Sequence, residues 1–155
     1  MTASIDEAVE IAASLCRRFE GLRLKPYLCP AGYPTIGYGT VFKPDGTQVK
    51  LDDPPITKET AEEWLISELK SNYLAGVLKA SPSLISNPWA LGAITDFAYN
   101  LGVGRYRSST LRRRVNEKDW DGAIEQIMLW TKAGGKTLPG LVKRRKAESL
   151  FLGGA

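Results

Sequence analysis

The chain of 155 residues contains no histidine. Imidazole-based zinc sites, a Ser-His-Asp triad and a Cys-His dyad are therefore excluded. Its two cysteines, Cys16 and Cys29, are too few for a four-thiolate zinc site or an iron–sulfur cluster. Their spacing demands no disulfide, and two thiols of a chain made in a reducing compartment are the simpler reading. No metal and no cofactor is expected. No run approaches the ~18 apolar residues that span a bilayer. The opening Met1-Thr2-Ala3-Ser4-Ile5-Asp6-Glu7 has no basic region, and Glu10 breaks the stretch that follows. Neither a signal segment nor stable membrane insertion is expected.

What is present reads as one globular domain over 1–155, without repeats or linkers. Hydrophobic residues make up 43% and charged residues 25%, which argues against disorder. The net charge of +4 favours anionic partners.

The pattern predicts an α+β architecture. Ser4 and Glu7 form a capping box for a helix over 4–19, whose apolar stripe holds Ile5, Ala8, Val9, Ala12, Leu15, Cys16 and Phe19. Gly21 stands where that helix ends. From Tyr27 to about Lys50, β-formers separated by Gly32, Gly37 and Gly39 predict a small hairpin or three-stranded sheet, with a turn at Pro44-Asp45-Gly46. The small sheet lobe covers about 20–56. A connecting helix over about 57–80, capped by Thr57, buries Trp64, Leu65, Leu69, Tyr73 and Val77. A helical lobe over about 81–155 packs with the N-terminal helix. Its centre is the helix from Trp89 to about Asn100, apolar nearly all round. Ser108-Ser109-Thr110 and Asp119 start two further helices, Gly134-Gly135 breaks the chain, and Pro139 opens a last amphipathic helix.

Without histidine, acid–base chemistry falls to carboxylates, thiols, lysines and tyrosines. Glu59, Glu62, Glu63 and Glu68 lie near a helix start or on its polar face and read as solvated. Glu20 differs, because it ends the first helix immediately before the Gly-rich segment. The negative end of the helix dipole favours the protonated form of a carboxyl there, as a general acid requires. An exposed helix-end glutamate is the alternative.

The segment Glu20-Gly21-Leu22-Arg23-Leu24-Lys25-Pro26-Tyr27, followed by Gly32-Tyr33-Pro34-Thr35-Ile36-Gly37-Tyr38-Gly39, resembles the active-site region of the phage-type lysozymes, the endolysins of glycoside hydrolase family 24. The family pattern is Glu, eight residues, Asp or Cys, five residues, Thr. Glu20, Cys29 and Thr35 fill it. Asp96-Phe97-Ala98-Tyr99-Asn100-Leu101-Gly102, and Trp130 with Gly134-Gly135-Lys136 through Gly140-Leu141-Val142-Lys143-Arg144-Arg145-Lys146-Ala147-Glu148, are similar to later family segments.

The resemblance implies a lysozyme-like fold and cleavage of the β-1,4 bond between N-acetylmuramic acid and N-acetylglucosamine in peptidoglycan. Glu20 would protonate the glycosidic oxygen, while Thr35 and Cys29 would assist water on the opposite face. Cys29 stands where most of the family has Asp. It acts as a thiolate base or nucleophile, or fills space, or Glu20 works alone and yields an anhydro-sugar. Val41, Tyr99 and Asn100 are the implied sugar contacts; Asn100 is equally a C-cap and Val41 equally a sheet residue. Arg144 or Arg145 pairs with Glu20. The implied partner is the peptidoglycan strand, met by a monomer that waits in the host cytoplasm. A separate pore-forming protein would release it to the cell wall and periplasm, causing lysis.

Arg105, Arg107, Arg112-Arg113-Arg114 and Lys143-Arg144-Arg145-Lys146 raise a competing class, a nucleic-acid-binding domain. Three successive arginines spread round a helix, and no aromatics interleave with them. No nucleic-acid partner is therefore expected. Attraction to an anionic envelope, or a solvated basic face, are the alternatives. A catalytically inactive wall-binding module is the third class.

Overall fold

The computed structural model describes residues 2–153. Helix α1 (Thr2–Glu20) leads into a hairpin of β1 (Arg23–Leu28) and β2 (Pro34–Gly37). The strands pair antiparallel, with Tyr27 opposite Thr35 and an irregularity between Arg23 and Tyr27. Single pairs Ile36–Thr40 and Phe42–Gln48 extend the hairpin, so it stays two-stranded. The expected turn is present: Gly46 N–H donates to Lys43 O, and Asp45 Oδ1 accepts from Thr47.

The connecting helix runs as α2 (Lys58–Glu68), a π-helical stretch (Leu69–Leu74) and α3 (Ala75–Ala80). Thr57 caps it by accepting from Thr60 N–H, as its sequence predicts. Leu65, Leu69 and Val77 are fully buried, whereas Trp64 and Tyr73 are only half-buried. A 3-10 turn (Pro82–Ser86) leads to α4 (Pro88–Leu101), in which every residue from Ala90 to Ala98 is buried. Around it stand α5 (Val103–Arg107), α6 (Thr110–Asn116), α7 (Trp120–Ile127) and α8 (Pro139–Ser149). Ser109 and Asp119 cap α6 and α7.

Two hydrophobic clusters hold these elements. The larger surrounds α4 with Phe97, Ile94, Leu91, Tyr106, Leu111 and Ile127; the smaller joins α1, α2 and Tyr38. Burial of the apolar face, more than helix propensity, fixes such short helices in place.

Four expectations need correction. Helix α1 begins at Thr2, so Ser4 lies inside it and no capping box forms. Glu7 instead accepts from the Trp89 indole at the start of α4. The chain break at Gly134-Gly135 is a second hairpin, β3 (Lys132–Ala133) with β4 (Lys136–Thr137). Asn100 does not cap α4, which runs on to Leu101 and is capped by Gly102. Helix α8 is not amphipathic in the expected sense. Arg144, Arg145, Ala147 and Glu148 are its buried residues, and Leu150 beyond its end is 80% exposed. Ion pairing makes that reversal physically tolerable, since each buried charge has a partner.

Candidate active site

Glu20 is the last residue of α1, and Gly21 with φ +73° turns the chain from it into the hairpin. Its side chain is 24% exposed and accepts from Arg144 Nη1 at 2.6 Å. Arg144 is itself fixed from behind. Its Nη2 and Nε donate to Asp96 Oδ1 and Oδ2 at 2.7 and 3.0 Å, a bidentate fork from the centre of α4. Burial opposes the Asp96 charge, but hydrogen bonds with Glu148 and Arg144 more than offset it and hold Asp96 below the usual carboxylate range. The guanidinium thus divides its charge between Asp96, which takes two N–H groups, and Glu20, which takes one.

The other Glu20 oxygen faces Gly39. A methyl group placed on Gly39 would lie 2.9 Å from Glu20 Oε1 and 3.5 Å from the Tyr99 hydroxyl, on a backbone with φ +82°. Only glycine fits this contact without strain. Tyr99 donates to Tyr38 O at 2.6 Å and packs edge-on against Tyr73 at 5.0 Å. It therefore ties the central helix to the segment that follows the hairpin, with its proton already committed. Asn100 Oδ1 accepts from Arg145 Nη2 at 2.8 Å. A cavity of about 370 Å³ beside them is lined by Phe19, Glu20, Asn100, Leu138, Leu141 and Arg144.

Cys29 opens the turn between β1 and β2, where its N–H donates to Tyr33 O and its carbonyl accepts from Gly32 N–H. The thiol lies below its ordinary pKa. The Tyr33 backbone N–H is the main cause, helped by the Thr35 hydroxyl and the N–H groups of Ala31 and Gly32 and opposed by partial burial. A lowered pKa favours thiolate. Thr35 is 2% exposed and donates to Tyr33 O at 2.8 Å, fixing the same turn. Tyr27, across the ladder from Thr35, feels the charges of both Glu20 and Cys29. Burial raises its phenol, and Glu20 then Cys29 add to the effect.

The structure thus places Glu20 just before β1 and Cys29 and Thr35 at the turn end of the hairpin, with Tyr27 feeling the charges of both Glu20 and Cys29, and it brings Tyr99 to Glu20 through Gly39. Val41 lies apart from this contact set: it is half-buried and its carbonyl accepts from Val49 N–H. Arg144 is the arginine that meets Glu20, whereas Arg145 pairs with Glu148 at 2.8 Å. Both cysteines are free, and Cys16 is buried as expected, donating to Asp96 Oδ1 at 3.2 Å.

Two carboxyls contradict or escape the sequence reading. Glu68 is not solvated: burial pushes it to about 7, and the Glu20 charge adds to the effect. Its Oε1 and Thr40 Oγ1 have no hydrogen-bond partner among the described residues. The register of α2 gave no warning, because what buries Glu68 is the chain after the hairpin. Asp96 did carry a signal, being the one carboxylate in a helix without a polar face.

The phage lysozyme family model matches residues 17–148. The endolysin of Acyrthosiphon pisum secondary endosymbiont phage 1 is 37% identical over 138 residues, covering 86% of this chain and 89% of its own. The endolysin of Salmonella phage P22 is 32% identical over 136 residues, covering 88% and 91%. Among solved structures, the endolysin from Escherichia coli O157:H7 phage FAHEc1 superposes with a TM-score of 0.78 at 32% identity, covering 91% of this chain and 89% of that one. The helices and small sheets described above are those of a muramidase-type glycoside hydrolase, and the chain belongs to the phage lysozyme family.

Proposed function

We propose that the protein hydrolyses the β-1,4 bond between N-acetylmuramic acid and N-acetylglucosamine of peptidoglycan, with Glu20 as general acid. One observation carries this reading. Glu20 has one oxygen held by Arg144 and the other turned to Gly39, and Tyr27, which pairs with Thr35 in the hairpin, feels the charges of both Glu20 and Cys29. A glycosidase needs an acid on one side of the sugar and a base or nucleophile on the other.

In this scheme the Glu20 proton passes to the glycosidic oxygen as the C–O bond breaks, and the bonding pair leaves with that oxygen. The oxocarbenium-like centre is met from the opposite side. The lowered pKa of Cys29 supports its thiolate as the charged partner there, either as base to an attacking water or as nucleophile, over a space-filling role. Thr35, whose proton is given to Tyr33 O, offers a lone pair to fix the water. Arg144 positions Glu20, Tyr99 and Asn100 line the path of the strand, and Val41, which lies apart from them, meets the strand only further along. The cleft runs between the small sheet lobe and the helical lobe of one domain. The monomer reaches the wall from the host cytoplasm through a separate pore-forming protein, and lysis follows.

Mass analysis of soluble muropeptides from purified peptidoglycan tests this. New reducing N-acetylmuramic ends are expected. Anhydro-muramic ends would replace hydrolysis with transglycosylation, and no cleavage by folded protein would leave a binding module.

A further inference from the structure

The excess positive charge of this protein sits in one place, remote in the chain from the catalytic hairpin. Residues 103–118 contain Arg105, Arg107, Arg112, Arg113, Arg114 and Lys118 against the single acid Glu117. That surplus exceeds the net +4 of the whole chain, so the remainder is close to neutral. The segment forms α5, a turn capped by Ser109, and α6.

A polar depression of about 370 Å³ lies where these helices meet, lined by Arg107, Ser108, Arg112, Arg113, Asn116 and Glu117. Arg112 is preorganised within it. Its Nε donates to Ala80 O at 2.9 Å and its Nη1 to Arg107 O at 3.0 Å. Neutral carbonyls thus orient the guanidinium without cancelling its charge. Arg107, Arg112 and Arg113 make no ion pair among the described residues. Arg114 turns away to Glu117 at 3.1 Å and Asp119 at 3.9 Å, which answers the acid in the lining.

We propose that Arg107, Arg112 and Arg113 form a phosphoryl-binding site that takes the phosphodiester groups of an anionic polyol-phosphate polymer. A planar guanidinium fork matches a phosphate better than it matches any neutral sugar. The site is concave and polar and its lining has no apolar side chain to insert into a bilayer. The aromatic residue of the segment, Tyr106, is fully buried with its hydroxyl 2.7 Å from Ser81, so no ring is offered for a base to stack on. These features favour a polyol-phosphate chain over a membrane surface and over a nucleic acid. Such a site, which shares no lining residue with the cavity beside Glu20, would hold the enzyme on a phosphate-bearing surface while the cleft works. It stands on its own geometry, and its test reads binding, not cleavage.

The test uses the full chain and poly(glycerol phosphate), with binding followed by calorimetry at 50 and 200 mM salt. Saturable binding is expected, weakening roughly 15-fold between the two salts if three phosphate contacts form. The double variant R107Q/R113Q should bind at least tenfold more weakly, while the charge-matched R105Q/K118Q, altered outside the lining, stays within about twofold of wild type. These factors are set by the two or three charge-assisted contacts removed. Equal losses in the two double variants would reduce the site to diffuse charge and overturn the proposal. So would absence of saturable binding by wild type, or tighter binding to phosphatidylglycerol vesicles or to a single-stranded oligonucleotide of equal charge.

Discussion

Arg144 grips Glu20 and Asp96 with one guanidinium, at 2.6 Å to the first and 2.7 Å to the second. The Glu20 carboxyl at the end of α1 is therefore oriented from α8, through an anchor in the middle of α4. Replacing Arg144 by Met would strand Asp96 in the core. Breaking one partner out of a buried pair costs about 3–5 kcal/mol, and urea denaturation should show a loss of that size. Arg144→Lys keeps a charge but loses the fork. It should stay folded and lose more than tenfold in turnover; a fully active Lys variant would remove Arg144 from a positioning role.

Gly39 should tolerate no side chain. With φ +82° and Glu20 Oε1 2.9 Å from an added methyl, Gly39→Ala is expected to lower stability by about 1–2 kcal/mol through left-handed strain alone. It should also push the acid out of place and cost most of the activity. Thermal denaturation and wall-clearing rates measure the two effects, and unchanged activity would mean that this oxygen does not face the sugar.

Cys29 should alkylate as an activated thiol. Because its pKa lies below the ordinary value, the rate of iodoacetamide modification of the native protein should reach its plateau at lower pH than in the urea-unfolded chain. Buried Cys16, raised well above its ordinary value by burial and by Asp96, should react only on unfolding. Cys29→Asp should preserve activity and Cys29→Ser should lose it by at least tenfold. A fully active Ser variant would reject thiolate chemistry.

Glu68 should make stability fall as pH rises. Its folded carboxyl titrates near 7 and its unfolded one near 4.5. Below the unfolded value both states hold the proton and there is no effect. Between the two values only the unfolded state ionises, and above about 7 the cost is complete, at about 3 kcal/mol. Glu68→Gln should therefore match wild type at pH 4 and exceed it in denaturation free energy at pH 8. Equal pH slopes for the two proteins would show that Glu68 is solvated after all.

These residues also show what could be read before any coordinates existed. Thr57, Ser109 and Asp119 were legible as caps because capping depends on local backbone chemistry. The apolar α4 was legible because a helix without a polar face belongs in a core. Glu20, Cys29 and Thr35 were singled out by the resemblance of their spacing to the family pattern, with Glu20 at the end of α1, Cys29 in the turn and Thr35 on β2. Ser4 misled because a capping box is common inside helices that begin earlier. Glu68, Arg144 and Glu148 were hidden because their burial is decided by neighbours at least 28 residues away in sequence (Thr40, Asp96). The choice between Arg144 and Arg145 rests on the rotation of α8 against α4, which no local pattern encodes.

The most direct measurement compares wild type and Glu20→Gln on purified peptidoglycan, with reducing ends and melting temperature recorded on the same samples. Loss of reducing-end release by at least a thousandfold is expected, given what proton transfer and positioning contribute, with the melting temperature within a few degrees because Arg144 keeps its fork to Asp96. Full release of reducing ends by the folded Gln variant would contradict Glu20 as the acid.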